Sequence, residues 1–167
     1  MFMLQVYTGN GKGKTTAAFG LAMRAKGRGK KVGIVQFAKP EESGEFKIAR
    51  EIGIDIFHFG YPGFIIKSPR EGDYTEAMKA WEKFIEMSKD GYDLIILDEL
   101  NIVLYYNLLD LNNVIETLMR LKNDFEIVVT GRYAKDDLIK ISDLVTEMCP
   151  LKHYFDIGVG AREGIEF

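Results

Sequence analysis

Cysteine is nearly missing from this sequence: Cys149 stands alone among 167 residues, so no internal disulfide can form. A chain without disulfides fits a reducing compartment. A lone thiol with no base beside it is expected to pack as a small buried hydrophobe. Long apolar runs are missing too, and none approaches the roughly 20 residues that span a bilayer. Met1 to Val6 is too short for a signal peptide and leads straight into a glycine-rich segment, so a cytoplasmic protein with no membrane partner is expected. Nor is there an excess of positive charge. Lys and Arg number 22 against 25 Asp and Glu, and a net charge of −3 gives no general attraction to nucleic acid. The basic cluster Lys26, Arg28, Lys30 and Lys31 falls where a helix ends and reads as a solvated face. His58 and His153 are isolated and lack metal-ligand spacing, which favours structural roles. No Ser/His/Asp or Cys/His arrangement is apparent. Repeats, linkers and low-complexity segments are absent. What is left has ordinary globular composition, 47% hydrophobic and 28% charged, and its length suits one domain over residues 1–167.

Against that background one stretch stands out, Thr8-Gly9-Asn10-Gly11-Lys12-Gly13-Lys14-Thr15-Thr16. It follows the apolar run Met3 to Tyr7 and opens a helical pattern. Strand, glycine-rich loop, Gly-Lys-Thr and helix, in that order, form a cradle for polyphosphate. Glycines let the backbone turn its N–H groups inward as a nest for anionic oxygens. The positive end of the following helix adds to the field. Lys14 would reach phosphate oxygens as a point charge, and Thr15 would offer its hydroxyl to Mg²⁺. The usual pattern places a glycine where this chain has Thr8, with Gly9 supplying flexibility one step later. A glycine-rich turn with no ligand is the bland alternative, and the strand–loop–helix context argues against it.

Along the rest of the chain, strands alternate with helices. Strands are expected at Lys31–Phe37, Ile54–Phe59, Tyr92–Leu97, Phe125–Thr130 and Leu144–Met148. Helices are expected after the glycine loop (Ala18, Leu21, Ala22, Ala25), over Glu45–Ile52, from Tyr74 to Gly91, after a capping Asp110, and over Lys135–Ile141. Trp81 lies on an apolar stripe and reads as core. Gly60–Gly72 carries Pro62, Gly63 and Pro69 and reads as a long loop, the kind that serves as a lid or binding segment. From Pro150 an irregular, glycine-rich tail is expected. The alternation implies an α/β fold, with a mostly parallel sheet of about six strands covered on both faces. Ligands of such sheets bind beyond the carboxyl ends of the strands, where Thr8–Thr15, Phe37, the Gly60 loop, Asp98-Glu99 and Gly131-Arg132 all fall.

Asp98 and Glu99 end the run Leu94 to Leu97, where a phosphate-loop protein carries its second magnesium motif. Spacing does not decide which of the two touches the metal. The alternative is a helix N-terminal pair favoured by the dipole. Arg132 suits a phosphate oxygen or a surface salt bridge equally well. Phosphate-loop kinases and hydrolases supply a base or water-positioning group, and none stands out here. A second substrate with its own strong nucleophile would remove that need.

Several segments together resemble the phosphate-loop type of ATP:cob(I)alamin (corrinoid) adenosyltransferase over nearly the whole chain. They are Gly9–Ala18, Gln36-Phe37, Gly63-Phe64, Leu97–Asn101, Thr130–Arg132, Asp143–Met148, and the tail Lys152–Gly158 with Gly164–Phe167. The resemblance implies a RecA-like P-loop fold in three layers. It implies that corrinoid Co(I) attacks the 5′ carbon of ATP, with triphosphate leaving. By matching position, Gly9, Asn10, Gly11, Lys12, Gly13, Lys14, Thr15 and Thr16 would bind the triphosphate, joined by Arg132. Thr15 and Glu99, with Asp98, would hold Mg²⁺. Lys14, Glu99 and Phe64 would serve catalysis, Phe64 by displacing the corrinoid's lower ligand. Ile66 stands where some members carry Trp, Gly160 where a basic residue is common, and Cys149 where Arg is common. By the same comparison, the N-terminal extension that many relatives carry is expected to be missing ahead of the first strand. A homodimer and an electron-donating flavoprotein are also implied. A nucleotide kinase and a non-catalytic ATP-binding module are the rival readings.

Overall fold

The computed structural model describes all residues except Pro40, Phe64, Ile66, Lys67 and Phe167. Six strands form its sheet: β1 (Leu4–Thr8), β2 (Val32–Gln36), β3 (Asp55–His58), β4 (Leu94–Asp98), β5 (Glu126–Thr130) and β6 (Leu144–Glu147). Their order is β3-β2-β4-β5-β1-β6, and every pairing is parallel. Between them run α1 (Lys14–Lys26), α2 (Gly44–Glu51), α3 (Glu71–Met87), α4 (Leu100–Tyr105), α5 (Leu111–Leu121) and α6 (Asp136–Ile141).

Period-two alternation in nearly all-apolar strands makes two cores from one sheet. Leu4, Val6, Val35, Ile95, Leu97, Ile127 and Val129 point to the face covered by α3, α4, α5 and α6. Ile34, Leu94, Ile96 and Val128 point the other way, against Ala18, Phe19 and Ala22 of α1 and Phe46 and Ala49 of α2. The result is the three-layer α/β arrangement of RecA-like phosphate-loop proteins. Trp81 is in the first core, as its stripe implied. Because α1 leaves β1 for one face while α4 and α6 leave β4 and β5 for the other, the sheet opens a crevice at the carboxyl ends of these strands.

Asp110 caps α5 as its position predicted, accepting from the Asn113 N–H at 2.8 Å. Helix α4 follows Asp98-Glu99, as the alternative reading of that pair allowed: it is only six residues long, and Glu99 ahead of it sits in the left-handed region at φ 65° with no side-chain cap. Two expectations need correction. The tail is not wholly irregular, since Tyr154–Ile157 form a 3-10 turn. Cys149 is exposed, because it follows the edge strand β6, whose four residues are all exposed.

Phe84 anchors the α3 core. It has no exposure and contacts the rings of Trp81 at 5.0 Å and Phe125 at 6.4 Å. Phe84→Ala is expected to lower stability by about 3–5 kcal/mol, read as a shift of the urea midpoint with the slope unchanged.

Candidate active site

The loop between β1 and α1 turns at two left-handed glycines, Gly9 (φ 94°) and Gly13 (φ 116°). The backbone of Met148 lies against it. The Gly11 N–H donates to the Met148 carbonyl at 2.6 Å, and the Met148 N–H donates to the Thr8 carbonyl at 2.9 Å. A Cβ on Gly9 would come within 2.5 Å of the Met148 carbonyl oxygen, and one on Gly11 within 2.7 Å. Those glycines are therefore required by the close approach of β6's end, before any ligand is considered. Thr8, the departure from the usual pattern, has a job of its own. Its hydroxyl accepts from the Ala134 N–H at 3.2 Å and pins the turn after β5.

Lys14 begins α1 and is almost fully buried, with its ammonium 2.8 Å from the Gly11 carbonyl. Burial holds it below the ordinary lysine value, and Glu99 and Asp98 counter that only in part. A poorly hydrated cation beneath this loop is a strong point charge for an anion.

Asp98 joins the loop to the sheet. It has no solvent exposure. One carboxylate oxygen accepts from the hydroxyls of Thr15 (2.9 Å) and Thr130 (2.6 Å), the other from the Gln36 amide (3.1 Å) and the Lys39 ammonium (2.8 Å). Burial alone would push this carboxyl up. The Lys39 charge and the hydrogen bonds from Lys39, Thr130 and Gln36 outweigh it and hold Asp98 below the usual carboxylate range. Burial likewise pulls Lys39 down, and Asp98, helped by Glu45 at 3.5 Å, more than restores it. Sequence spacing left Asp98 and Glu99 undecided, and matching position paired Thr15 with Glu99. The hydrogen bond of Thr15 goes to Asp98.

Glu99 is half-buried, and its carboxyl is pushed up to about 7, first by burial and then by Asp98. Its backbone N–H donates to the Thr130 hydroxyl at 3.0 Å. Gly131 (φ 125°) leaves it room, since a Cβ there would lie 3.1 Å from the Glu99 Oε2. A carboxyl poised near 7 can act as a base, the group that the sequence alone did not offer. Thr15 and Glu99 present oxygen donors to the cavity, with Asp98 bonded to Thr15 behind them, and oxygen donors suit Mg²⁺.

Lys14, Thr15 and Glu99 line a cavity of about 1130 Å³, while Asp98 is buried behind them and neither it nor Gly9 lines the wall. Asn10, Gly11, Lys12, Gly13, Lys14, Thr15, Thr16, Glu99 and Arg132 all line it, so nearly every expected site residue meets there. The Gly60 loop contributes Tyr61, Gly63 and Ile65. Arg70 gathers that loop: its guanidinium donates to the Pro62 (2.7 Å) and Gly63 (3.2 Å) carbonyls, pairs with Asp73, and stacks 4.6 Å from Tyr61. Phe64 and Ile66 lie outside the described residues. Lys12 turns toward the tail instead of the cradle floor. Its three N–H groups have three acceptors, Tyr154 Oη (3.0 Å), the Ile165 carbonyl (2.8 Å) and Glu166 (2.6 Å). Glu166 also accepts from Arg162 and Tyr154, and these partners, Arg162 and Lys12 first, hold it well below the usual carboxylate range. Gln36, Thr130 and Glu166 fall in segments that carry the resemblance, but no role was assigned to them or to Lys39 from sequence. The only local hint was that Gln36 and Thr130 are polar residues closing apolar strands.

Comparison with known proteins adds the decisive observation. Residues 2–167 match the family model of ATP:corrinoid adenosyltransferase BtuR/CobO/CobP. The chain belongs to this family. It is 40% identical over 165 residues to a corrinoid adenosyltransferase of Escherichia coli K12, covering 97% of this chain and 84% of that one. It is 41% identical to corrinoid adenosyltransferase CobA of Salmonella typhimurium over the same shares. A corrinoid adenosyltransferase of Pseudomonas aeruginosa is 39% identical, covering 99% of this chain and 83% of the relative.

The Lys39–Asp98 pair yields a test. Lys39→Met leaves a buried carboxylate without its cation and is expected to cost about 3 kcal/mol in chemical denaturation. Adding Asp98→Asn to that variant should recover most of the loss, a non-additivity that a double-mutant cycle measures.

Proposed function

We propose that this chain transfers the 5′-deoxyadenosyl group of ATP to the Co(I) of a reduced corrinoid, releasing triphosphate, in adenosylcobalamin synthesis or salvage. The observation that carries the reading is a phosphate loop whose Thr15, on the wall of a large cavity, is already joined to the buried Asp98, in a chain of this family. The whole of residues 1–167 is read as one P-loop adenosyltransferase domain.

In the reaction, the electron pair of Co(I) forms the Co–C bond as the bond from C5′ to the triphosphate oxygen breaks. The leaving electrons go to the triphosphate. No proton need be removed from the nucleophile, so the protein's task is positioning and stabilisation of leaving charge. Gly9 to Thr16 would hold the triphosphate on backbone N–H groups other than that of Gly11, which the Met148 carbonyl occupies, with Lys14 neutralising charge from below and Arg132 from the rim. Thr15, Asp98 and Glu99 would hold Mg²⁺, which would neutralise phosphate charge when bound. The raised carboxyl of Glu99 is what a nucleotide kinase would use as its base. Family membership speaks against that reading, and a metal bound at Glu99 accounts for the carboxyl's placement without a base role.

Phe64 is assigned to the corrinoid's lower face by matching position alone. Delivery of Co(I) requires an outside donor, and a flavoprotein fits. A homodimer is proposed, with the exposed apolar residues Val145, Leu151, Phe155 and Ile157 as surface for a second copy. Among the described residues no helix is long and apolar enough to cross a membrane. A cytoplasmic setting, where ATP and reductant meet, suits the reaction.

Mixing the protein with MgATP and chemically reduced cobalamin should give a light-sensitive adenosylated product and triphosphate in equal amounts. Lys14→Ala should lower kcat/KM by a factor of about 100 or more. Orthophosphate released without adenosylated product would contradict the assignment.

A further inference from the structure

Among the described residues, four non-glycine positions have a left-handed backbone: Ala38, Glu99, Asn107 and Tyr133. Three of them, Ala38, Glu99 and Tyr133, line the cavity. Tyr133 (φ 61°) is the bulkiest, and a bulky residue in this region is an outlier. Strained backbone persists where neighbours over-determine it, and it gathers at ligand sites.

The neighbours here are plain. The Gly131 N–H donates to the Tyr7 carbonyl at 3.2 Å, the Asn101 amide donates to the Gly131 carbonyl at 2.9 Å, and the Ala134 N–H is held by Thr8. Both sides of Tyr133 are pinned, so the fold sets its backbone. Glycine or asparagine would meet that backbone with less strain. What tyrosine adds is a ring. Tyr133 is 46% exposed, and its ring lies 4.5 Å from that of Tyr105 at 33°. Tyr105 is 44% exposed and meets Tyr106 edge-on at 5.1 Å. Tyr106 and Tyr133 line the cavity and Tyr105 does not, so the aromatic surface begins inside and continues over the lip.

We infer that Tyr133 is a specificity-determining residue for the corrinoid: its ring, backed by Tyr105, is a platform for the macrocycle and not for the nucleotide. The inference rests on the adenosyltransferase reading above. A nucleotide gripped by its phosphates at Gly9–Thr16 has the cavity of about 1130 Å³ to occupy. A ligand that also covers the Tyr133–Tyr105 wall extends past the lip, and the corrinoid is the larger substrate. A flat, conjugated ring with amide edges suits aromatic faces that carry phenol hydroxyls.

The test compares Tyr133→Asn and Tyr133→Phe with the unaltered protein. Readouts are KM for reduced cobalamin, KM for MgATP, and the thermal midpoint. Tyr133→Asn should raise the cobalamin KM about tenfold, as loss of an aromatic anchor does. The MgATP KM should stay within about twofold and the thermal midpoint should not fall, because asparagine accepts the left-handed backbone. Tyr133→Phe keeps the ring and should match the unaltered protein. An unchanged cobalamin KM in Tyr133→Asn, an equal rise in both KM values, or a lowered midpoint with both KM values raised would overturn the inference. If the unaltered protein forms no adenosylated product, the functional reading itself fails. Titrating cobalamin binding in both variants then decides Tyr133 separately, with weaker binding in Tyr133→Asn alone supporting the platform and equal binding refuting it.

Discussion

A carboxylate with no access to water sits at the working end of the sheet. Burying such a charge costs several kcal/mol unless it is paired and hydrogen-bonded. Asp98 is both: Lys39 supplies the counter-charge, and Thr15, Thr130 and Gln36 supply donors from α1, β5 and β2. Through one side chain, three neighbouring strands and the first turn of α1 are tied to a common point. The phosphate loop lies between β1 and that turn, so its position follows from the same knot.

The opposite flank of the loop is set by contact between backbones. The end of β6 lies so close to Gly9 and Gly11 that side chains there would collide with Met148. Thr8 then reaches across to Ala134 and fixes the turn that carries Arg132 and Tyr133. A substitution that looks like an imperfect phosphate loop is thus a link between two walls of one cavity. The tail closes a third side, where Lys12, Arg162 and Tyr154 meet on Glu166.

Much of this was legible because its signals are local. Strand–loop–helix order at Thr8–Thr16, apolar runs ended by polar residues, and Asp110 ahead of an apolar stripe each act within a few residues. The all-parallel sheet follows from alternation of elements. What stayed hidden depends on distant contacts. Nothing near Lys39 says that it faces Asp98, 59 positions on, and nothing near Lys12 points to Glu166, 154 positions away. Helix α4 was signalled only by the acidic pair ahead of it, because Glu99 takes a left-handed conformation normally left to glycine or asparagine and makes no side-chain cap. Cys149 was misjudged because burial at a sheet edge is set by what lies beyond the strand, which composition does not encode.

The central claim concerns which end of the nucleotide faces the open cavity. A crystal structure with MgATP bound measures it directly. The account predicts triphosphate wrapped by Gly9–Thr16 over Lys14, Mg²⁺ beside Thr15 and the Asp98-Glu99 pair, and the ribose 5′ carbon turned toward the cavity. A terminal phosphate facing that cavity, with the sugar turned away, would contradict it.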